Sequence, residues 1–356
     1  MFAQPTLLAA LVASALSSLA TGANAQSSVT LWGIADSWVG VTDNKVGGTP
    51  PGRTTVVESG GAQASRWGLR GTEDLGGGLK ANFALEQGFN LDNGAVTRVS
   101  LSEQGFNRAA WVGLSGEFGE VRLGRMLTAF DALRGSTNQL YDSSGFASTG
   151  QVWGAGTTAA SGQAAVTGSD YLARGNNTAY YATPVIGGFS GSVSYSANEG
   201  STSATDNPRL RTGHVKYASG PLRIGYGYQS ETYPAGQNNF HIVAGNYDFG
   251  PVRMVAAVQR QIDERVVGQQ KSNEWEVGFD APFGAATVAV GYASADTRNS
   301  TGARVVEARG VSLMGTYDLS ARTRLYTAFR QLKTTRADGS TSLEAGRLGV
   351  GVTHKF

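Results

Sequence analysis

The 356-residue chain has no cysteine, only three histidines and no basic run. Zero cysteines exclude a disulfide scaffold and leave the redox compartment open. The histidines, His214, His241 and His354, fall in separate expected strands or strand ends, and none forms a His-x-x-x-His or Glu-flanked pair of the kind that holds zinc. A formal net charge of +2 is too small to point to nucleic acid. Beyond the N-terminal region no stretch reaches 18 consecutive apolar residues, so no transmembrane helix is expected there. Nor is there a convincing helical pattern, and without one no Gly-x-Ser-x-Gly elbow can sit between a strand and a helix. For the same reason Gly76-Gly77-Gly78, and the spaced Gly113, Gly116 and Gly119, read as hairpin punctuation rather than phosphate loops. A triad assembled in space stays formally open. The expectation is nevertheless a protein that is not an enzyme, with no cofactor and no metal.

Residues 1–25 read as a signal peptide. The apolar stretch 7–20 is too short to span a bilayer, and Ala23-Asn24-Ala25 gives a small-x-small cleavage pattern before Gln26. No Lys or Arg precedes the apolar core, a departure from the usual pattern; the alternative is an apolar N-terminal helix kept in the mature chain.

What the chain has in abundance is glycine, 50 residues of it, and short alternating segments. Residues 28–41 read as a strand, followed by polar Gly/Pro-rich sequence over 42–61. Trp67 and Leu69 alternate with Arg66, Gly68, Arg70 and Thr72; after a Gly-rich turn, Leu79, Ala81, Phe83 and Leu85 alternate with Lys80, Asn82, Ala84 and Glu86. Period-2 alternation puts one set on each face of a sheet. The pattern recurs around Val193, Tyr226 and Val277. Short turns, such as 219–221 and 249–251, alternate with longer polar segments, such as 197–208, 231–239, 262–272 and 295–306. That asymmetry suits an outer-membrane barrel with tight periplasmic turns and longer external loops. About sixteen segments of roughly ten residues suit tilted strands crossing hydrocarbon, and a ring of that size encloses water. The fold expected is therefore all-β: a 16-stranded antiparallel transmembrane β-barrel. Residues 126–176 break the rhythm, being rich in Gly, Ser, Thr and Ala, and read as a long third loop folded into the lumen. The chain ends with Leu348, Val350, Val352 and Phe356 on one face and Arg347, Thr353 and Lys355 on the other.

Inward parity collects Arg66, Arg70, Lys80 and Glu86 in the first hairpin, and Glu120 and Arg122 further on. Such charges either pair along a solvated wall or act as a field that selects ions.

The segment Ser65-Arg66-Trp67-Gly68-Leu69-Arg70-Gly71-Thr72-Glu73-Asp74-Leu75-Gly76-Gly77-Gly78-Leu79-Lys80-Ala81 resembles the trimeric general porins of β-proteobacteria. So do Ser28-Val29-Thr30-Leu31-Trp32-Gly33-Ile34, Val121-Arg122-Leu123-Gly124-Arg125 and the terminal His354-Lys355-Phe356. The resemblance implies a homotrimer in the Gram-negative outer membrane, in contact with lipid and lipopolysaccharide, passing ions and small hydrophilic solutes. It also implies a constriction lined by Arg66, Arg108 and Arg174, with Glu86 as acidic partner. Arg70 and Arg125 are further basic candidates, while Asp142 and Asp131 are the candidates for the loop's acidic side. Strict alternation groups Arg108 with Val112 and Leu114, so its lumen position needs a bulge or rests on the resemblance. A solute-specific porin for organic anions or phosphate, a non-conducting surface barrel and a soluble secreted β-protein are the other readings.

Overall fold

The computed structural model describes residues 28–47, 52–96, 105–137, 146, 152–153, 171–197, 208–265 and 268–356. The signal-peptide stretch 1–25 and Asp142 lie outside the described residues. The strands are β1 (Ser28–Val46), β2 (Gly52–Ser59), β3 (Arg66–Gly76), β4 (Leu79–Gly88), β5 (Ala109–Gly116), β6 (Gly119–Leu127), β7 (Arg174–Ala182), β8 (Phe189–Ser196) and β9 (Arg209–Ser219). They continue as β10 (Leu222–Tyr233), β11 (Gly236–Asp248), β12 (Arg253–Asp263), β13 (Gln270–Phe283), β14 (Ala286–Asn299), β15 (Arg304–Asp318), β16 (Thr323–Arg336) and β17 (Thr341–Lys355). Sequential strands pair antiparallel, and β17 pairs back onto β1, so the sheet closes. β2 and β3 lie end to end along β1, against residues 37–44 and 28–34 respectively. They are two halves of one stave, and the barrel has sixteen staves.

Closure joins the first and last strands into one continuous ring, the arrangement a lipid-embedded sheet requires. The alternation then sorts the faces. Leu313, Phe329, Leu348 and Val41 are in register across β15, β16, β17 and β1 and all point outward, while Met314, Ala328 and Gly349 beside them point inward. At the chain end Leu348, Val350, Val352 and Phe356 are exposed and Thr353 is buried. The Phe356 ring lies over Gly33, where a Cβ would come within 2.2 Å of it, and two backbone hydrogen bonds of 2.9 and 3.1 Å tie the two residues. The last residue is thus part of the wall.

Several stretches that read as loops are strand. β1 runs on to Val46 and β2 spans Gly52–Ser59, so the two together fill most of 42–61. Only two residues separate β10 from β11 within the expected loop 231–239, and the strands likewise extend into 262–272 and 295–306. Above the hydrocarbon both faces of a strand can be polar, so the ladder continues after the hydrophobic alternation has ended.

Between β2 and β3 the chain leaves the stave over residues 60–65. This bulge turns inward onto Asp36, whose carboxylate accepts the Ala62 and Gln63 N–H groups at 3.3 and 3.1 Å and the Tyr326 hydroxyl at 2.9 Å. The Thr353 hydroxyl donates to the same group at 2.5 Å. Asp36 is wholly buried, and four donors compensate its removal from water.

Candidate functional site

The link between β6 and β7 opens with a helix, α1 (Ala129–Thr137). The expected loop therefore contains a helical segment, contrary to the sequence reading. Its signal is short: Thr128-x-x-Asp131, in which the Thr128 hydroxyl accepts the Asp131 N–H at 3.2 Å. Asp131 in the first turn and Arg134 in the last complement the helix dipole.

α1 is fastened to the inner wall. The Ala129 N–H donates to the Thr212 hydroxyl at 2.9 Å, and the His214 Nδ1–H donates to the Ala129 carbonyl at 2.6 Å. Phe130 and Leu133, both fully buried, pack with Tyr171, Phe240 and Ile242. Room for them comes from Gly225 and Gly227 on β10: a Cβ at 225 would lie 2.4 Å from Leu133 Cδ1, and one at 227 would lie 3.3 Å from Phe130 Cδ2. The inward face of β11 is apolar for the same reason, with Phe240, Ile242 and Ala244 buried there. Further along the link, Phe146 meets Trp38 edge-on at 4.8 Å, and the Trp153 indole N–H donates to the Trp275 carbonyl at 3.4 Å. The described parts of the link thus touch inward side chains on β1 and on β9 to β11, and the backbone of β13.

Opposite α1 stand the arginines. Glu86 projects inward from β4. Arg66 Nε lies 3.6 Å from its Oε1, and Arg108 donates a hydrogen bond to the same oxygen. Arg174 Nε donates to the Arg108 carbonyl at 3.0 Å. Arg125 Nε donates to the Asn107 carbonyl at 2.7 Å, and its Nη1 donates to the Asn176 side chain. Arg108, Arg125, Glu86 and Asp131 are all within electrostatic reach of the Arg174 guanidinium. Asp131 accepts the Tyr171 hydroxyl at 2.7 Å, and Arg134 donates to that hydroxyl at 3.0 Å. Burial holds the Tyr171 phenol well above its usual pKa, with the Arg134 charge pulling the other way. The structure therefore gathers Arg66, Arg108, Arg125 and Arg174 with Glu86 and Asp131, a set that carries a net charge of about +2.

No bulge within β5 is needed for Arg108. It precedes the strand's first residue, Ala109, so alternation does not bind it, and its N–H still bonds the Glu86 carbonyl at 3.1 Å. Arg125 sits where the β6–β7 register slips between Gly124 and Met126, a break that frees its side chain from strict parity. Arg70 is not in the cluster. It lies four residues down β3 from Arg66, roughly 13 Å away, with its guanidinium 5.9 Å from the Trp32 ring. Arg122 and Glu120 also stand apart, paired with each other at 2.5 Å. Among the described residues no group of three or more His, Asp or Glu side chains is arranged to hold a metal.

Comparison with known proteins adds three findings. The family described as Gram-negative porin matches residues 8–337. The chain is 36% identical to outer membrane porin protein 32 of Delftia acidovorans over 97% of this chain and 99% of that one, and 30% identical to an outer membrane porin protein of Bordetella pertussis over 99% of each. Among solved structures, an anion-selective porin from Comamonas acidovorans superposes with a TM-score of 0.76 at 31% identity, covering 93% of this chain and all of that one.

Proposed function

We propose, for a chain that belongs to the Gram-negative porin family, that the arginine cluster gives its channel a weak to moderate preference for small anions. The protein is an outer-membrane porin, a channel for passive diffusion. The observation that carries the preference is the excess of guanidinium over carboxylate where α1 faces the arginine wall. An arginine ~5 Å from a passing anion contributes about 0.8 kcal/mol in bulk water and about 3 kcal/mol at an effective dielectric of ~20. That range biases traffic without trapping the ion. The contacts of Phe146, Trp153 and α1 with inward side chains and wall backbone support a lumen narrowed by the β6–β7 link. Homotrimeric assembly and the constriction roles of the individual residues belong to the same reading.

The test is planar-bilayer recording of the purified mature protein under a salt gradient, with and without the Arg66→Gln/Arg174→Gln pair of substitutions. The parent should show current steps in threes with a reversal potential of anion-selective sign. The double variant should keep conducting while its reversal potential moves toward zero. An unchanged reversal potential removes the arginines from the selectivity filter. A second reading, a saturable site for carboxylates or phosphate, is favoured by Arg66 and Arg108 converging on one carboxylate oxygen, a geometry that a solute carboxylate could share. Flux that saturates at millimolar solute would select it.

A further inference from the structure

Between the arginine cluster and the tight β3–β4 turn, the inner wall holds a recess of about 450 Å³, within the ~300–1,000 Å³ of small-ligand sites. One row of the ladder gives it its shape. Thr30, Arg70, Ala84, Trp111 and Gly124 are direct neighbours across β1, β3, β4, β5 and β6. The backbones of Arg70 and Trp111 are two strands apart, about 10 Å, and the residue between them, Ala84, offers only a methyl. A large side chain thus stands on each flank of a shallow floor. In the next row toward the turn, Thr72 and Asn82 are in register, and Ser115 lies one row further. The Thr72 hydroxyl donates to Asn82 Oδ1 at 3.0 Å, and Asn82 Nδ2 donates to the Ser115 hydroxyl at 2.8 Å. This chain fixes the plane of the amide and leaves its second N–H and the Ser115 O–H to serve a guest.

The flanks have capacity that the wall itself does not use. Arg70 is exposed to the lumen and makes no ion pair among the described residues; its guanidinium lies 5.9 Å from the Trp32 ring. The acid that lines the recess, Glu120, is already held by Arg122. Arg122 in turn lies 4.4 Å from the centre of the Trp111 ring and 5.3 Å from that of Tyr180. Gly113, opposite Arg122, makes room for this, since a Cβ there would come within 3.1 Å of the Arg122 stem. The cation braces the indole. Trp111 is nevertheless only half-buried, and it lines the recess. Outward aromatics meet hydrocarbon, but this one points into an aqueous lumen, where uncovered apolar surface costs free energy. A wall that has only to be wetted needs no indole.

We propose that the recess is a solute-binding subsite for a cyclic sugar acid, a hexuronate. Its carboxylate would pair with the Arg70 guanidinium, and its ring would cover the Trp111 indole, whose negative face attracts polarised C–H groups. The ring hydroxyls would meet Asn82 and Ser115. The pairing of one open cation with an aromatic platform and a row of neutral hydrogen-bonding groups is what distinguishes this solute from a simple inorganic anion, which would use the cation alone. The recess shares no residue with the cluster around Glu86, so either reading can fail without the other.

The experiment measures the concentration of glucuronate that half-blocks the ion current of the purified mature protein in a planar bilayer, with glucose, benzoate and the methyl ester of glucuronate as comparison solutes. Losing a charged hydrogen-bonding partner should raise the half-blocking concentration about tenfold or more in Arg70→Gln. Losing the aromatic face should raise it roughly two- to tenfold in Trp111→Leu, with Trp111→Phe recovering most of the loss. Glucose should block weakly, with no response to Arg70→Gln. The Arg66→Gln/Arg174→Gln pair should leave the glucuronate block within about twofold of the parent. Equal block of parent and Arg70→Gln overturns the proposal, and so does loss of the block in the Arg66/Arg174 variant, which would put the solute at the cluster. Benzoate blocking as tightly as glucuronate would also overturn it, in favour of an aromatic acid. Current steps without solute show that each variant has folded. Should the Trp111 variants not fold, the ester carries the test in the parent: it keeps the ring and loses the charge, so it must block at least about tenfold more weakly, and equal block refutes the site.

Discussion

Gly225→Ala tests how the β6–β7 link is held in place. The new methyl would lie 2.4 Å from Leu133 Cδ1 and 2.8 Å from the Val215 carbonyl oxygen, whereas carbon contacts settle near 3.5–4.0 Å. The wall is a hydrogen-bonded ladder that yields little, so the Leu133 side chain and α1 must shift inward, off the wall, by about 1 Å. Overpacking of this kind costs about 1–3 kcal/mol, and Leu133→Ala alone, which empties the same socket, should cost about 2–5 kcal/mol of docking free energy. In the double variant the alanine methyl occupies part of the space that leucine vacates. The two costs should therefore fall short of additive by at least about 0.5 kcal/mol. Thermal unfolding of the folded barrel gives the energies, and single-channel recording gives the consequence: Gly225→Ala should raise open-channel current noise as α1 leaves and regains its seat. Gly213→Ala is the control, because a Cβ there meets nothing closer than 3.5 Å. Strictly additive energies with a quiet channel would show that the Leu133 socket does not hold the helix.

Two further outcomes follow from groups around the lumen. Asp36→Ala leaves two backbone amides and the Tyr326 and Thr353 hydroxyls without their acceptor; each stranded donor costs about 1–3 kcal/mol, so the heat resistance of the barrel should fall by far more than for a surface Asp338→Ala. Tyr171 has a folded pKa above its ordinary value of 10.0, so its contribution is complete below pH 10 and lost as pH rises through the folded pKa. Current noise should therefore rise in strongly alkaline buffer for the parent but not, from this group, for Tyr171→Phe; an identical alkaline response in both proteins would exclude the phenol.

The barrel was legible in the sequence because lipid demands an apolar face at every second residue, and Leu313, Phe329 and Leu348 obey. Arg66 and Glu86 were legible for the same reason, since parity alone turns them inward. Elsewhere other physics took over. Phe240 and Ile242 point into the lumen because α1 covers them, and a pattern rule that assigns apolar residues to lipid cannot see a helix that arrives from another part of the chain. α1 itself is nine residues long, too short for periodicity to stand out, although its Thr128 cap could have been read. Arg108 and Arg125 escape parity by sitting at a strand end and a register slip. Arg70 obeys parity and is still outside the cluster, because alternation fixes the face of a residue but not its height along the pore.

The carboxylate of Asp36 has a bearing on the order in which the molecule assembles. Its partners Tyr326 and Thr353 are 290 and 317 residues away along the chain, so the knot cannot be tied until nearly every stave has been laid down. Contacts of such long range form late, after the loop-closure entropy has been overcome. The bulge at 60–65 can close on Asp36 early, through the Ala62 and Gln63 amides, but the carboxylate lacks its two hydroxyl donors until the first and last strands meet. Hydrogen exchange at the Gly33 amide, which donates to the Phe356 carbonyl across the seam, would time the completion of the ring during refolding, independently of when the individual hairpins appear.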